Sequence, residues 1–190
     1  MTCIAAIKHD DIIVMGADTV ASDEHGMYSR STPKIFRNRP FLIGSAGSAR
    51  IGQLLQYSLL VPAQAIDQDD MDYMVNTFAE SFRQVLLARG AMYKTDEVEF
   101  YHGETMVVYN NEIYIVDGAL HVMHLAYPYA SVGSGAQVAC GALHALMSIV
   151  KSGKLAPKDA IGQALAAAEE HAVGVRRPFD YFSTAEEDET

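Results

Sequence analysis

The chain has no tryptophan, only two cysteines and six prolines, and no proline-, glycine- or serine-rich stretch. Cys3 and Cys140 cannot build a disulfide framework and have no metal-ligand spacing, which fits a reducing compartment and two buried small hydrophobes. Without a linker, residues 1–190 are expected to form a single domain large enough for a substantial core. No apolar run approaches the roughly 20 residues that span a bilayer. Nor does a basic segment precede an apolar one at the N-terminus, so a cytoplasmic location and no membrane partner are expected. Basic residues are also scarce: 14 Lys and Arg face 24 Asp and Glu, a formal charge of −10 that disfavours nucleic acid. The seven histidines show no ligand spacing. His121 and His124 fall on opposite faces of an expected strand, so neither a metal site nor a cofactor is expected.

Hydrophobic residues make up 49% of the chain and charged residues 20%, the balance of a globular protein. The acids gather at 67–72 and in the tail 185–190. Helix-start acids and a solvated terminus account for them, and a negatively charged working surface in an assembly is the alternative.

Apolar periodicity predicts a hairpin of strands 2–7 and 12–17, with Asp18 at the end of its second arm. A polar loop 19–31 follows, then an extended piece 32–36 carrying Lys34, and a strand 41–43 that runs into Gly44-Ser45-Ala46-Gly47-Ser48-Ala49. Helices are predicted from a Ser48 cap to before Pro62 and over 70–88, where Met74, Phe78, Phe82, Val85 and Leu86 make one stripe. A meander of strands 104–109, 112–116 and 119–125 comes next, then a strand 129–132. Helices over 136–150 and 157–171 and a strand 179–183 complete the chain. Strand blocks alternating with helix pairs point to an α+β layered fold with antiparallel sheets. Gly133-Ser134-Gly135 lies between strand and helix but lacks a full phosphate-loop pattern.

The chemistry centres on Thr2, directly behind Met1. Once Met1 is excised, Thr2 carries a nucleophilic hydroxyl and an α-amine whose reference pKa is about 7.7–8.0, so hydroxyl and base sit on one residue. Asp18 and Lys34 follow at equal intervals along the chain, and Gly47 ends a strand.

This arrangement resembles the proteasome β-subunit family of N-terminal nucleophile (Ntn) hydrolases, and most of all its bacterial HslV-type member. The residues that carry the resemblance are Met1-Thr2, Met15-Gly16-Ala17-Asp18, Thr32-Pro33-Lys34, Gly44-Ser45-Ala46-Gly47 and Val132-Gly133-Ser134-Gly135. The resemblance implies a four-layer αββα sandwich of two antiparallel sheets between helices. It also implies a threonine endopeptidase subunit of a self-compartmentalised double ring, with six or seven subunits per ring, acting on peptides or unfolded proteins beside an ATP-dependent unfoldase. In it, Thr2 is the nucleophile, Lys34 and Asp18 favour its alkoxide, Gly47 N–H is an oxyanion donor and Ser134 orients the Thr2 amine. An inactive structural ring subunit and a small-molecule amidohydrolase are the alternatives. No propeptide is expected, so exposure of Thr2 rests on methionine removal.

Where many family members carry an acid and a serine after the last long helix, this chain has Glu170-His171-Ala172-Val173-Gly174. Residues 22–30 form a long polar loop that suits the lining of a pore or channel. Carried over by position, the pocket for the side chain before the scissile bond is lined by Ala21, Ser22, Thr32, Phe36, Ser45 or Ala46, and Ala49. None of these is charged, so an apolar substrate side chain is expected.

Overall fold

The computed structural model describes residues 1–22 and 25–185, so the acidic tail from Glu186 onward lies outside the described residues. Strands β1 (Cys3–His9) and β2 (Ile12–Asp18) form the expected hairpin. Short strands β3 (Val20–Ser22) and β4 (Met27–Ser29) follow, then β5 (Ile35–Asn38) and β6 (Phe41–Gly47). Helix α1 (Ala49–Tyr57) leads to a composite helix made of α2 (Asp70–Tyr73), a π-helical stretch Met74–Phe78 and α3 (Ala79–Ala88). Next come β7 (Tyr93–Thr95), β8 (Val98–Phe100), β9 (Gly103–Tyr109), β10 (Glu112–Val116), β11 (Val122–His124) and β12 (Tyr129–Gly133). Helices α4 (Ala136–Lys151) and α5 (Pro157–His171) and strand β13 (Phe179–Ser183) complete the described chain.

Two antiparallel sheets hold the middle: β12-β1-β2-β13 and β11-β10-β9-β6-β5. The period-2 alternation of strand side chains divides β1 between two cores. Cys3, Ala5 and Ile7 face α4 and α5, packing with Ala139, Leu143, Ile161 and Leu165. Ile4 and Ala6 face the other sheet, meeting Ile35, Leu42, Met106 and Val108. Strand β6 divides likewise: Leu42 turns inward, while Phe41 and Ile43 join Leu54, Leu55, Phe78 and Phe82 of the outer helices. The layers are therefore α4/α5, sheet, sheet, α1/α3, the α+β sandwich expected from the pattern. Among the described residues no helix is long and apolar enough to cross a membrane.

Several details depart from the sequence pattern. Residues 19–31 contain the β3–β4 hairpin, pairing Val20 with Ser29 and Ala21 with Tyr28. The 70–88 helix is π-wound at its centre, and the expected 119–125 strand shrinks to β11. There Leu120 adopts φ 64° and its N–H turns back to Asp117 O at 2.9 Å, closing a turn inside the apolar run. Ser48 occupies the N-cap position of α1, but its side chain makes no capping bond. The β7–β8 hairpin carries no turn signal of the Asn-Gly kind and its strands are only three residues long.

Candidate active site

Antiparallel pairing assembles the site at one end of the two sheets. Asp18 ends β2, Lys34 immediately precedes β5, Gly47 ends β6, and Ser134 follows β12, the strand paired with β1 just past Thr2. All five residues singled out for catalysis thus reach one locality from separate parts of the chain.

Asp18 and Lys34 form a buried ion pair, with side chains 0% and 2% exposed. Lys34 Nζ donates to both carboxylate oxygens at 2.9 Å, and Cys3 N–H donates to Asp18 Oδ1 at 2.9 Å. Burial pushes the Lys34 pKa below the ordinary lysine value, while the charge and hydrogen bonds of Asp18 oppose that shift. The same ammonium donates to Met1 O at 3.3 Å, and Thr2 Oγ1 donates to that carbonyl at 2.7 Å. The Thr2 hydroxyl and a buried cation therefore converge on the Met1 carbonyl oxygen.

The Thr2 backbone is held from the other side. Its N–H donates to Ser134 Oγ at 3.1 Å, and its carbonyl accepts from Ser134 Oγ at 3.2 Å and from Gly135 N–H at 3.3 Å. Gly133 has φ +93°, and a Cβ there would run into the Thr2 carbonyl. Gly47, at φ +108°, would place a Cβ 2.5 Å from His102 O. Both positions need glycine, for backbone conformation and for close approach.

Two nucleophile-type side chains, Thr2 and Cys3, are adjacent in sequence. Strand alternation turns them to opposite faces. Cys3 points into the α4/α5 core, where burial first and the Asp18 charge second push its thiol pKa to about 12. The thiol therefore stays protonated near neutral pH and is inert as a nucleophile. Among the described residues no group of three or more His, Cys, Asp or Glu could hold a metal ion.

A cleft of about 130 Å³ opens beside Thr2, and the residues lining it include Arg30, Thr32, Pro33, Lys34, Phe36, Ser45, Gly47, Ala49, Gly52, Gln53, Gln56 and Tyr57. Of the residues carried over by position, Thr32, Phe36, Ser45 and Ala49 line this cleft. Ala46 turns instead into the core between the sheets, since strand alternation gives the cleft to its neighbour Ser45. Ala21 lies on β3 and does not line the cleft, and the side chain of Ser22 lies outside the described residues. Beside the uncharged residues expected from sequence, the cleft is lined by the charged Lys34 and Arg30. The β3–β4 hairpin folds Arg30 back, with its N–H on Thr19 O at 3.0 Å. Residues 49, 52, 53 and 56 share one face of α1, so their i, i+3, i+4, i+7 spacing was the available signal for the two glutamines. No local pattern marked Arg30.

The loop after α5 also reaches the N-terminus, but by packing. A Cβ on Gly174 would lie 2.8 Å from Met1 Cβ, whereas Glu169 turns away to Arg177.

The layered architecture is the α+β fold shared with HslV-type subunits, as solved structures show. Two solved structures of Thiobacillus denitrificans BPH, one in complex with epoxomicin, match with a TM-score of 0.77 at 19% identity, covering 96% of this chain and 97% of theirs. Eukaryotic HslV from Trypanosoma brucei matches with a TM-score of 0.66 at 18% identity, covering 95% of this chain and 98% of that one. No protein-family model matches the chain, and no curated protein matches it significantly. At such identities the likeness establishes the shared fold.

Proposed function

We propose that this chain is a threonine-type endopeptidase subunit of the proteasome β-type Ntn hydrolases, with Thr2 as nucleophile after removal of Met1. The observation that carries this reading is the placement of Thr2 Oγ1 and Lys34 Nζ, held by buried Asp18, within reach of one atom, the Met1 carbonyl oxygen, whose removal with Met1 leaves the two groups facing each other. In the reaction, Thr2 Oγ attacks the scissile carbonyl while the freed α-amine, acting through a water, takes the hydroxyl proton. Lys34 stabilises the developing alkoxide, and Gly47 N–H receives the oxyanion. The amine then protonates the departing peptide, leaving an ester on Thr2 that water hydrolyses. Ser134, already bonded to the Thr2 nitrogen, orients the amine. No metal or cofactor enters these steps.

The same reading gives a single domain and a cytoplasmic homo-oligomer of stacked rings, six or seven subunits each, that takes peptides or unfolded chains from an ATP-dependent unfoldase. Rings of one chain type use heterologous contacts that close. A monomer in light scattering would refute the assembly. For the chemistry, a peptide epoxyketone, which needs both the hydroxyl and a free amine, should add once to Thr2 in the mass spectrum of the mature protein. Thr2→Ala should abolish capture and turnover, and Thr2→Ser should retain part of both. Turnover by Thr2→Ala within severalfold of wild type would remove Thr2 from the mechanism.

A further inference from the structure

The cleft beside Thr2 is more polar than its apolar walls, Pro33, Phe36 and Ala49, suggest. Ser45 Oγ is shielded from solvent and has no hydrogen-bond partner among the described residues. A buried hydroxyl left in that state is destabilising, so a group that completes it is favoured. Ser45 lies on β6 under the glycine face of α1, its Oγ 3.5 Å from where a Gly52 Cβ would stand. Ser45 is among the residues that line the cleft, and the missing side chain at Gly52 keeps the space over its hydroxyl free enough for a side-chain shift to expose it.

Arg30 adds a charge. Its guanidinium donates to Thr32 Oγ1 at 3.3 Å, which uses one of five N–H donors. Gln53 and Gln56 bring amide groups from α1, and no Asp or Glu is among the described residues that line the cleft. The other cation, Lys34, is held by Asp18. Among the described residues the cleft thus offers unspent donors and one positive charge with no acidic partner next to Thr2.

A carboxylate is the complementary group, because it only accepts hydrogen bonds and pairs with the planar guanidinium fork. We infer that this cleft receives an acidic side chain, glutamate above all, on the residue preceding the scissile bond, with Arg30 and Ser45 as its specificity-determining residues. The inference rests on the Thr2 peptidase reading and replaces the apolar preference expected from sequence. Glutamine would satisfy Ser45 but leave the Arg30 charge unpaired. Leucine would leave both unmet, and lysine would be repelled.

Fluorogenic peptides differing only at that residue (Glu, Gln, Leu or Lys) test the order. The comparison is made at high salt as well as low, because the net charge of −10 repels acidic peptides at low salt. The expected kcat/KM for Glu exceeds that for Leu by about tenfold at high salt, the scale of a charge-assisted pair. Arg30→Gln should erase that ratio, Arg30→Lys should keep part of it, and Arg30→Glu should invert it toward lysine. A readout independent of turnover uses the Thr2→Ala variant. Calorimetry should show about tenfold tighter binding of short peptides ending in Glu than of those ending in Leu. Equal or leucine-favouring binding overturns the pocket assignment whatever the catalytic result. Glutamate-favouring binding, together with a wild-type protein that no epoxyketone captures, sustains the pocket and overturns the peptidase reading.

Discussion

Two ion pairs flank the start of β13 and place the same chemistry in opposite surroundings. Asp18, paired in register with Phe179, holds Lys34 with both side chains essentially fully buried. Two residues before Phe179, Arg177 holds Glu169 at 2.7 Å with side chains 65% and 23% exposed. The outer pair tethers the end of a loop to α5 and works in solvent, where such pairs contribute about 0–1 kcal/mol. The inner pair gives up the hydration of two charges. Replacing a pair of this kind by apolar residues is often neutral or stabilising, so stability is a poor reason for it. The proposed chemistry supplies another: the ammonium that Asp18 fixes reaches the Met1 carbonyl oxygen, to which the Thr2 hydroxyl also donates. The contrast separates a cation kept for position from one kept as a clasp.

The largest effect should come from the position itself. Lys34→Ala should lower kcat/KM by at least about 10²–10³-fold, the usual consequence of deleting one preorganised electrostatic partner of a transition state. Steady-state kinetics with a peptide substrate check it, and a loss under tenfold would reduce Lys34 to a structural cation.

Asp18→Ala should reduce stability by about 3–5 kcal/mol in urea unfolding, because Lys34 is left buried without its partner. The double variant Asp18→Leu with Lys34→Met should regain most of that stability and none of the activity. Recovery of activity in the double variant would dissolve the distinction between the two pairs.

Titration should separate the pairs by sign. Burial lowers the Lys34 pKa on folding, so the unfolded chain holds the proton more strongly between the folded value and the ordinary 10.5. Stability from this group is therefore gained as pH rises through that window, while activity that needs the ammonium falls in the same window. For Glu169, the Arg177 N–H and guanidinium hold the carboxyl below its ordinary 4.5. Its stabilisation is present above 4.5 and is lost as pH falls through the folded value. The checks are an alkaline limb of kcat/KM below 10.5 that Thr2→Ser leaves in place, and acid unfolding of Arg177→Ala against wild type.

The smallest effect belongs to the outer pair at neutral pH. Arg177→Ala should cost no more than about 1 kcal/mol in urea unfolding and leave kcat/KM within twofold. A larger activity loss would mean that the loop it tethers, which comes up to the N-terminus at Gly174, takes part in the site.

Much of this was legible in the chain, because the signals are local. Alternation in 3–9 and 12–18 and the 3.6-residue stripes of the four main helices follow from backbone periodicity alone, and they place Asp18 at a strand end and Thr2 directly before a strand. The residue types at positions 2, 18, 34, 47 and 134 carry their chemistry wherever the backbone puts them. What only the tertiary structure decided are relations between distant segments. The pairing of β6 with β9 sets the register in which Ser45, and not Ala46, faces the cleft. One residue of slip would reverse that choice. The β3–β4 hairpin returns Arg30 to Thr19 and gives the cleft its charge, and burial of Lys34 against Asp18 sets the direction of its pKa shift. Sequence determined which functional groups the chain owns and which strand ends carry them. Long-range pairing and desolvation decided which of those groups meet, because neither depends on neighbours along the chain.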